Sequence, residues 1–257
     1  MDFVAGHALV SGKNAMNNPW LSIVTVTKDD PAGLERTLAS TAAWLEGPAV
    51  EQIVIDASVP LATIRNPAVQ VARQQSHGIA AAFNEGLQAA KGEWVWFLNS
   101  GDAAHPQLSR EWLLQLLSAT AADIVAGTVH YDGDVAPRPA RLLREQWPPL
   151  ISWIPHPAAI VRRRVLMQAG GFDKQWRIAM DFDLWLRLLL QDARVDVLSV
   201  PFAIFDVTGV SQRPETRDLL ARENAGVIWR HKRGLARSWL ATGRRLARTL
   251  FKAWLQR

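Results

Sequence analysis

The sequence contains no cysteine among its 257 residues. A chain without thiols has no disulfides, no thiolate nucleophile and no cysteine-ligated zinc or iron–sulfur site, and the absence favours a reducing compartment. Apolar residues make up 49% and charged residues 21%, so the composition argues against disorder, a collagen-like chain or a coiled coil. The length allows one large domain, or one domain with an appendage.

Several motifs of common enzymes are also missing. The chain has no GxGxxG, GxxxxGK[ST], HExxH or GxSxG pattern. No stretch reaches the ~20 consecutive apolar residues of a membrane-spanning helix, so we expect no integral membrane segment. Residues 1–19 lack the ordered charged, apolar and cleavage regions of a secretory signal, and we interpret them as a leader ahead of the first strand.

Acidic residues are absent from the end of the chain. Residues 230–257 hold nine Lys/Arg and no Asp/Glu, whereas residues 1–229 hold twenty Lys/Arg against twenty-four Asp/Glu. The formal charge is therefore −4 for the body and +9 for the tail. Enzymes that act on nucleic acids usually carry positive charge on the working face of the body, so this distribution favours an anionic membrane surface and disfavours nucleic acid.

The tail predicts a cationic amphipathic helix over residues 235–257, within a C-terminal extension that covers residues 213–257. Its apolar side chains fall within an arc of about 100°. These are Leu235, Trp239, Leu246, Leu250 and Trp254, opposed by the basic arc of Arg244, Arg245, Arg248 and Lys252. Such a helix can lie among lipid headgroups and bring an enzyme to a lipid-linked acceptor. The alternatives are a helix packed on the body or a self-association surface.

Strand-like and helix-like segments alternate through the first half of the body, which predicts βαβ units and an open parallel sheet. Expected strands cover 21–27, 50–56, 69–73 and 93–98, with helices over 31–45 and 78–91. The second half is less regular, with helices expected over 106–119, 162–169 and 181–191, and strands over 123–131, 158–161, 194–200 and 202–207. Ligands of open α/β sheets bind at the carboxyl ends of the strands, where Asp56 and residues 99–102 would lie.

Carboxylates are the side chains available at these strand ends, and no glycine-rich phosphate loop accompanies them. A carboxylate repels phosphate unless a divalent cation lies between the two. Asp102 offers the hard oxygen ligands that Mn²⁺ or Mg²⁺ prefers, with water and phosphate oxygens as the remaining ligands. The pattern therefore predicts a metal-assisted site for a phosphorylated ligand.

Five sequence blocks carry a family resemblance. They are LSIVTVT (21–27), IVID (53–56), GIAAAFNEG (78–86), GEWVWFLNSGD (92–102) and GGFDKQWRIAMDFDLWLR (170–187). In this order they resemble family 2 glycosyltransferases of the bacterial type that assembles surface polysaccharides. The resemblance covers residues 20–212 and implies a Rossmann-like GT-A domain, with a mostly parallel central sheet flanked by helices.

The resemblance also implies a donor site. Asp56 matches the aspartate that holds the nucleoside, with a carboxylate in a turn as the alternative, and Thr27 falls where the first strand lines the base pocket. Asn99 and Gly101 lie in the DXD-type block, whose last residue, Asp102, matches the usual metal ligand. In the preceding block an aspartate is replaced by Ala81, while Asn84 is kept. Asn84 would bond a sugar or phosphate oxygen, or be an asparagine on a helix surface.

Asp181 matches the family's catalytic base, with Met180 in place of the preceding acid. Inverting transfer needs one carboxylate to take the proton of the acceptor hydroxyl. Asp183 points about 200° away on a helix, so it would orient the helix. His156, between two prolines, is predicted to be structural, and a role for Asp206 in metal binding is left open.

The combined prediction is a metal-dependent inverting glycosyltransferase. It would move a sugar from a nucleotide donor, UDP-linked, to a saccharide or lipid-linked acceptor during synthesis of cell-surface polysaccharide. We expect it in the cytoplasm, at the inner face of the cell membrane. The alternative is a catalytically inactive GT-A-like scaffold that recruits partners or membrane, which the changes at Ala81 and Met180 would permit.

Overall fold

The computed structural model describes residues 18–132, 138–139, 154–209 and 212–255, with the backbone alone beyond residue 236. Most of the predicted leader, 1–19, lies outside this part of the chain. The strands are β1 Leu21–Thr27, β2 Val50–Asp56, β3 Val69–Arg73, β4 Trp94–Phe97, β5 Ala103–Ala104, β6 Ile124–Tyr131, β7 Arg138–Pro139, β8 Ala159–Arg162 and β9 Val195–Phe205. The helices are α1 Pro31–Thr41, α2 Ile79–Ala89, α3 Arg110–Ala119, α4 Arg163–Gln168, α5 Met180–Leu190 and α6 Arg217–Leu255.

All nine strands of the described residues belong to one sheet. Their order is β3-β2-β1-β4-β8-β6-β9-β5, with β7 paired to β6. β1 lies between β2 and β4 and is parallel to both, and β3 is parallel to β2. β8 runs antiparallel to β4 and β6, whereas β6 and β9 are parallel. The mostly parallel α/β sheet confirms the predicted fold class.

Helices cover both faces of the sheet because the central strands are apolar on both sides. In β4 the side chains of Trp94 and Trp96 pack into one core cluster with residues of α1 and α3. Val95 and Phe97 point to the opposite face, where α2, α4, α5 and α6 supply the apolar partners. The apolar run EWVWFL is thus a strand buried on both faces.

Local capping sets where two of the helices, α1 and α3, begin. The Asp30 carboxylate accepts a hydrogen bond from the Gly33 N–H at 3.0 Å, and Pro31 takes the first helical position of α1. α3 was expected from residue 106, but it begins at Arg110 because Ser109 caps it by accepting from the Trp112 N–H. Residues 106–109 precede the helix.

The segment expected as two strands, 194–200 and 202–207, is a single strand, β9. Pro201 lies within it and is paired with Thr128 of β6, where the register of the ladder shifts. A proline lacks the N–H that a regular ladder uses. The shift in register means that the ladder does not need an N–H group at this position. The prediction of a strand break at Pro201 was therefore wrong.

α6 is a continuous helix of 39 residues, which confirms the predicted C-terminal helix. Val227 and Leu235 are buried in the core cluster that contains α5. Leu235 was expected in the lipid-facing arc of the tail, and its burial in the body removes it from that arc. None of the helices in the described part of the chain combines the length and the apolarity needed to cross a bilayer.

The close contact between α2 and β1 depends on Gly86. A Cβ atom at this position would lie 2.3 Å from Cγ1 of Val24, which is fully buried and β-branched. We expect Gly86→Ala to destabilise the fold by about 1–3 kcal/mol through overpacking, although the same change in an exposed helix stabilises it by about 0.5–1 kcal/mol. Urea unfolding measures the effect.

The matched control is Gln88→Ala, an exposed position on the same helix, which should leave the free energy of unfolding nearly unchanged. Combining Gly86→Ala with Val24→Ala should cost less than the sum of the two single changes, because the second change removes the clashing methyl group. Additive costs would contradict the proposed contact.

Candidate active site

The predicted donor residues lie at the carboxyl ends of the central strands. Thr27 is opposite Asp56 in the register of β1 and β2. Beyond β4 the chain stays beside β1, because Leu98 N–H donates to Val24 O and Ser100 N–H donates to Val26 O, both at 3.0 Å. The strand order reverses at β1, which is where open α/β sheets bind ligands. The structure thus brings Thr27, Asp56 and the 99–102 turn to one edge.

Asp56 is fully buried, and both of its carboxylate oxygens accept backbone hydrogen bonds. Oδ1 accepts from Ser58 N–H and Oδ2 from Ala62 N–H, each at 2.7 Å. Burial alone would raise the pKa of Asp56, but these hydrogen bonds and the charge of Arg73 hold it below the usual value. Asp56 is therefore an ionised side chain that shapes the loop over residues 57–62.

The 99–102 turn is supported by Thr37 of α1, a residue that the sequence reading did not single out. The Thr37 hydroxyl oxygen accepts from Gly101 N–H at 3.1 Å and lies 2.6 Å from the Asp102 carbonyl oxygen. Ser100 adds a second link to the start of α1 through its hydroxyl, which donates to the Asp30 carboxylate at 2.7 Å. These contacts fix the turn against a helix that is distant in sequence.

Asp102 is buried, and a second carboxylate lies beside it. Its Oδ1 accepts from Asp206 N–H at 3.0 Å. Gly101 has a φ of +95°, and a Cβ there would lie 2.3 Å from Asp206 Oδ2, so glycine permits this approach. Burial, helped by the Asp206 charge, raises the pKa of Asp102 to about 7. Asp206, whose role was left open, is therefore the acidic neighbour of the predicted metal ligand.

A divalent cation fits the chemistry of this pair. Burial and the neighbouring Asp206 charge both disfavour the ionised form of Asp102, and a bound cation would favour that form. Each Asp102 oxygen accepts one backbone N–H, from Asn99 or from Asp206, and keeps a second lone pair. Within the described ranges, no three His, Cys, Asp or Glu side chains are grouped to hold a metal ion.

Asp181 is the second residue of α5 and is half-buried. Its Oδ1 accepts from the Phe182 N–H at 2.6 Å. Burial raises the pKa of Asp181 to about 6, against the opposing effect of backbone hydrogen bonds. A carboxylate with such a pKa is ionised at neutral pH and is a stronger base than an exposed aspartate.

Asp183, two residues on, has a different environment. Its fully buried carboxylate accepts from Arg187 Nε at 2.7 Å and lies 2.9 Å from His231 Nε2 of α6. Burial would raise the pKa of Asp183, but the hydrogen bonds from His231 and Arg187 lower it overall. Asp183 thus links α5 to α6 through His231. Asp181 is the carboxylate available for proton transfer.

The start of α5 and the Asn99 side chain lie on the same face of the sheet. Phe182 packs in the same core cluster as Phe97, and strand alternation places Asn99 on the face of Phe97. The Asn99 Oδ1 atom is buried and has no hydrogen-bond partner. A ligand hydroxyl would satisfy this acceptor.

Asn84 connects α2 to the turn that precedes α5. Its Nδ2 donates to Phe172 O and its Oδ1 accepts from Phe172 N–H, both at 2.8 Å. The asparagine also lines an open cavity of about 620 Å³ together with Ala81, Arg73 and Lys174. The residue expected as a donor contact therefore supports the Gly170–Phe172 turn while it lines a pocket.

His156 lies in an aromatic environment. Its ring centroid is 5.0 Å from that of Phe83, 5.8 Å from that of Phe97 and 6.1 Å from that of Trp185. Burial lowers the pKa of His156 to about 4, so the ring is neutral at physiological pH. Neither ring nitrogen has a hydrogen-bond partner among the described residues.

Glu223 is a further residue that the sequence reading missed. It lies on α6, and its carboxylate bonds the backbone just before α5. No local sequence pattern links position 223 to position 181, because the contact forms only when the two helices pack. Thr37 was equally hidden, as one polar residue inside an amphipathic helix.

Comparisons with known proteins agree on the class of this chain. The family model described as glycosyl transferase family 2 matches residues 22–184. An uncharacterised glycosyltransferase of Mycobacterium tuberculosis is 27% identical over 212 residues, which cover 77% of this chain and 79% of the relative. The O-antigen biosynthesis protein RfbC of Myxococcus xanthus is 29% identical over 184 residues, or 66% of this chain and 14% of RfbC.

Solved structures show the same fold. The crystal structure of S. aureus TarS superposes with a TM-score of 0.60 and 19% identity, covering 83% of this chain and 40% of that chain. TarS residues 1–349 in complex with UDP give a TM-score of 0.58 at 18% identity, over 83% of this chain and 65% of that one. With its matching family model, its glycosyltransferase relatives and its GT-A-like sheet, the chain belongs to glycosyl transferase family 2 and is a glycosyltransferase.

Proposed function

We propose that the protein transfers a sugar, with inversion, from a UDP-linked donor to a saccharide or lipid-linked acceptor in the synthesis of cell-surface polysaccharide. The similarity to an O-antigen biosynthesis protein supports the pathway class. TarS structures in complex with UDP and with UDP-GlcNAc support a nucleotide-sugar donor. The observation that carries the proposal is Asp181, a half-buried carboxylate at the start of α5 whose pKa is raised to about 6.

In the proposed reaction Asp181 is the base. The acceptor O–H bond breaks and its proton passes to the Asp181 carboxylate, while the oxygen bonds to the anomeric carbon. The bond from that carbon to the diphosphate breaks on the opposite face, and its electron pair leaves on the nucleoside diphosphate. Attack opposite the leaving group inverts the anomeric centre.

The donor would lie at the edge formed by β1, β2 and the 99–102 turn. Thr27 and Asp56 would line the nucleoside pocket, and Asn99 and Gly101 would contact the diphosphate or the sugar. Asp102, with Asp206 beside it, would hold Mn²⁺ or Mg²⁺. Such a cation supplies charge stabilisation to a departing diphosphate, and water and the ligand would complete its coordination shell.

We expect Asp181→Asn to reduce transfer by about 10²–10⁴-fold, because an amide cannot take the acceptor proton. UDP release from a panel of sugar nucleotides, with water as the acceptor, measures the rate, and calorimetry measures UDP binding. Binding should be retained, since the change is isosteric.

Asp192→Asn is the matched control, an exposed aspartate at the other end of α5, and it should leave the rate unchanged. Wild-type turnover in Asp181→Asn would refute the assignment of the base. A wild-type protein that releases no UDP from any donor, with or without metal, would favour the scaffold alternative.

We expect UDP to bind more tightly in the presence of Mn²⁺ or Mg²⁺, and Asp102→Asn to remove most of this gain. Changing even an outer-shell partner of a metal typically costs about 10–100-fold in metal affinity, and loss of a direct ligand should cost at least as much. Calorimetric titration of UDP with and without each cation is the measurement.

The variant Asp206→Asn distinguishes the role of the Asp206 carboxylate from that of Asp102. If Asp206 only adds negative charge near the cation, its loss should weaken the metal effect less than the loss of Asp102. A metal effect of unchanged size in Asp102→Asn would rule out this aspartate as the ligand.

We propose that the basic tail brings the enzyme to the inner face of the cell membrane. Nine Lys/Arg without an acid over residues 230–257 support this proposal. Neutralising Arg244, Arg245, Arg248 and Lys252 to glutamine should weaken binding to phosphatidylglycerol vesicles by several-hundred-fold, at about 1 kcal/mol per basic residue. Co-sedimentation measures the affinity.

The same variant should bind phosphatidylcholine vesicles no worse than the wild type, and its transfer rate on a soluble donor should be unchanged. Equal affinity of both proteins for the anionic vesicles would contradict a role for the tail in membrane binding.

A further inference from the structure

The start of α5 is held by a side chain from another helix. Glu223 of α6 is 7% exposed, and its carboxylate accepts hydrogen bonds from three consecutive backbone N–H groups. Oε1 accepts from Arg177 at 2.9 Å, and Oε2 accepts from Ile178 at 2.8 Å and from Ala179 at 2.9 Å. These residues directly precede Met180 and Asp181, the first two residues of α5.

The helix α5 has no side-chain cap of its own, and Glu223 holds the backbone that leads into it. The N-cap position of α5 is Ala179, whose methyl side chain cannot accept a hydrogen bond. A carboxylate at this end also complements the positive pole of the helix. Three charge-assisted hydrogen bonds compensate the cost of burying the Glu223 charge, and they hold the backbone of residues 177–179 in one conformation.

Other contacts keep α6 in register with α5 on both sides of Asp181. Arg230 pairs with Asp173 at 2.5 Å, before residues 177–179, and His231 contacts Asp183 at 2.9 Å, after them. A Cβ at Gly226 would lie 2.9 Å from the ring of Trp176, so this turn of α6 lies directly against the loop. These contacts hold the backbone of α6 around Glu223 against the segment that the carboxylate bonds.

We propose that Glu223 is a positioning residue for the base: it fixes the backbone next to Asp181 so that the carboxylate faces the acceptor hydroxyl. The inference rests on the proposed role of Asp181 as the base. Glu223 acts through the backbone of residues 177–179. Because a misplacement of about 1 Å can cost on the order of 100-fold in rate, loss of these hydrogen bonds should be visible in turnover.

The test is Glu223→Gln. Glutamine has the same size, but it has a single acceptor oxygen and places an NH₂ group against backbone N–H groups. We expect kcat for UDP release from the preferred sugar nucleotide to fall by about 10–100-fold. The KM for that donor and the affinity for UDP should not change, because the donor edge at β1, β2 and β4 is untouched.

Two control variants separate positioning from general damage. Glu215→Gln makes the same chemical change at an exposed residue just before α6 and should have no effect. Arg230→Ala removes the ion pair between α6 and Asp173 but keeps the hydrogen bonds of Glu223. It should lower the melting temperature, while kcat should fall by less than in Glu223→Gln. Should Glu223→Gln fail to fold, Glu223→Asp keeps the charge on a shorter side chain and should show the same reduction in kcat at unchanged donor KM.

A double-mutant cycle tests whether Glu223 acts through Asp181. In the Asp181→Asn background, Glu223→Gln should cause no further loss of the residual rate. A full additional loss, a change confined to donor KM, or an equal fall of kcat in Arg230→Ala would overturn the inference. Wild-type turnover in Asp181→Asn would instead refute the base itself, whatever Glu223→Gln does.

Discussion

The hydrogen bonds that keep the chain beside β1 after β4 ends are the contacts on which the site depends. Leu98 and Ser100 donate to carbonyl groups of β1 and carry the strand-like path past the last residue of β4. Without them the 99–102 turn would not lie next to Thr27 and Asp56. The apolar β4 is buried on both faces, and the polar residues follow where its apolar run ends.

Four aspartates illustrate how environment sorts one side chain into different roles. Asp56 and Asp183 are buried, and the hydrogen bonds that they accept lower their pKa values. Asp102 and Asp181 are held in apolar or acidic surroundings that raise their pKa values. Titratable groups with pKa values pushed in opposite directions are a common feature of enzyme sites. The groups with raised pKa values are the ones assigned here to metal and proton chemistry.

The helix α6 connects the region of Asp181 with the end of the chain. Its first half packs Val227 and Leu235 into the core and places Glu223 at the start of α5. The same helix continues to Leu255, through most of the acid-free segment 230–257 with its nine Lys/Arg. A protein truncated before α6 would therefore lose core packing and the support of Asp181 as well as the basic tail.

The sequence by itself determined the fold class, the sheet in the first half and the positions of the chemical groups, because apolar periodicity and ordered motif blocks are local properties. It predicted that Asp56, Asp102 and Asp181 lie at or next to the ends of strands and helices, and the structure confirms these positions. Only the tertiary structure decided what surrounds them. The neighbours Thr37, Asp206 and Glu223 come from distant parts of the chain, the strand through Pro201 depends on an irregularity in its partner, and the burial of Leu235 depends on α5. Contacts between remote elements leave no periodic signal, since each depends on how whole helices and strands pack.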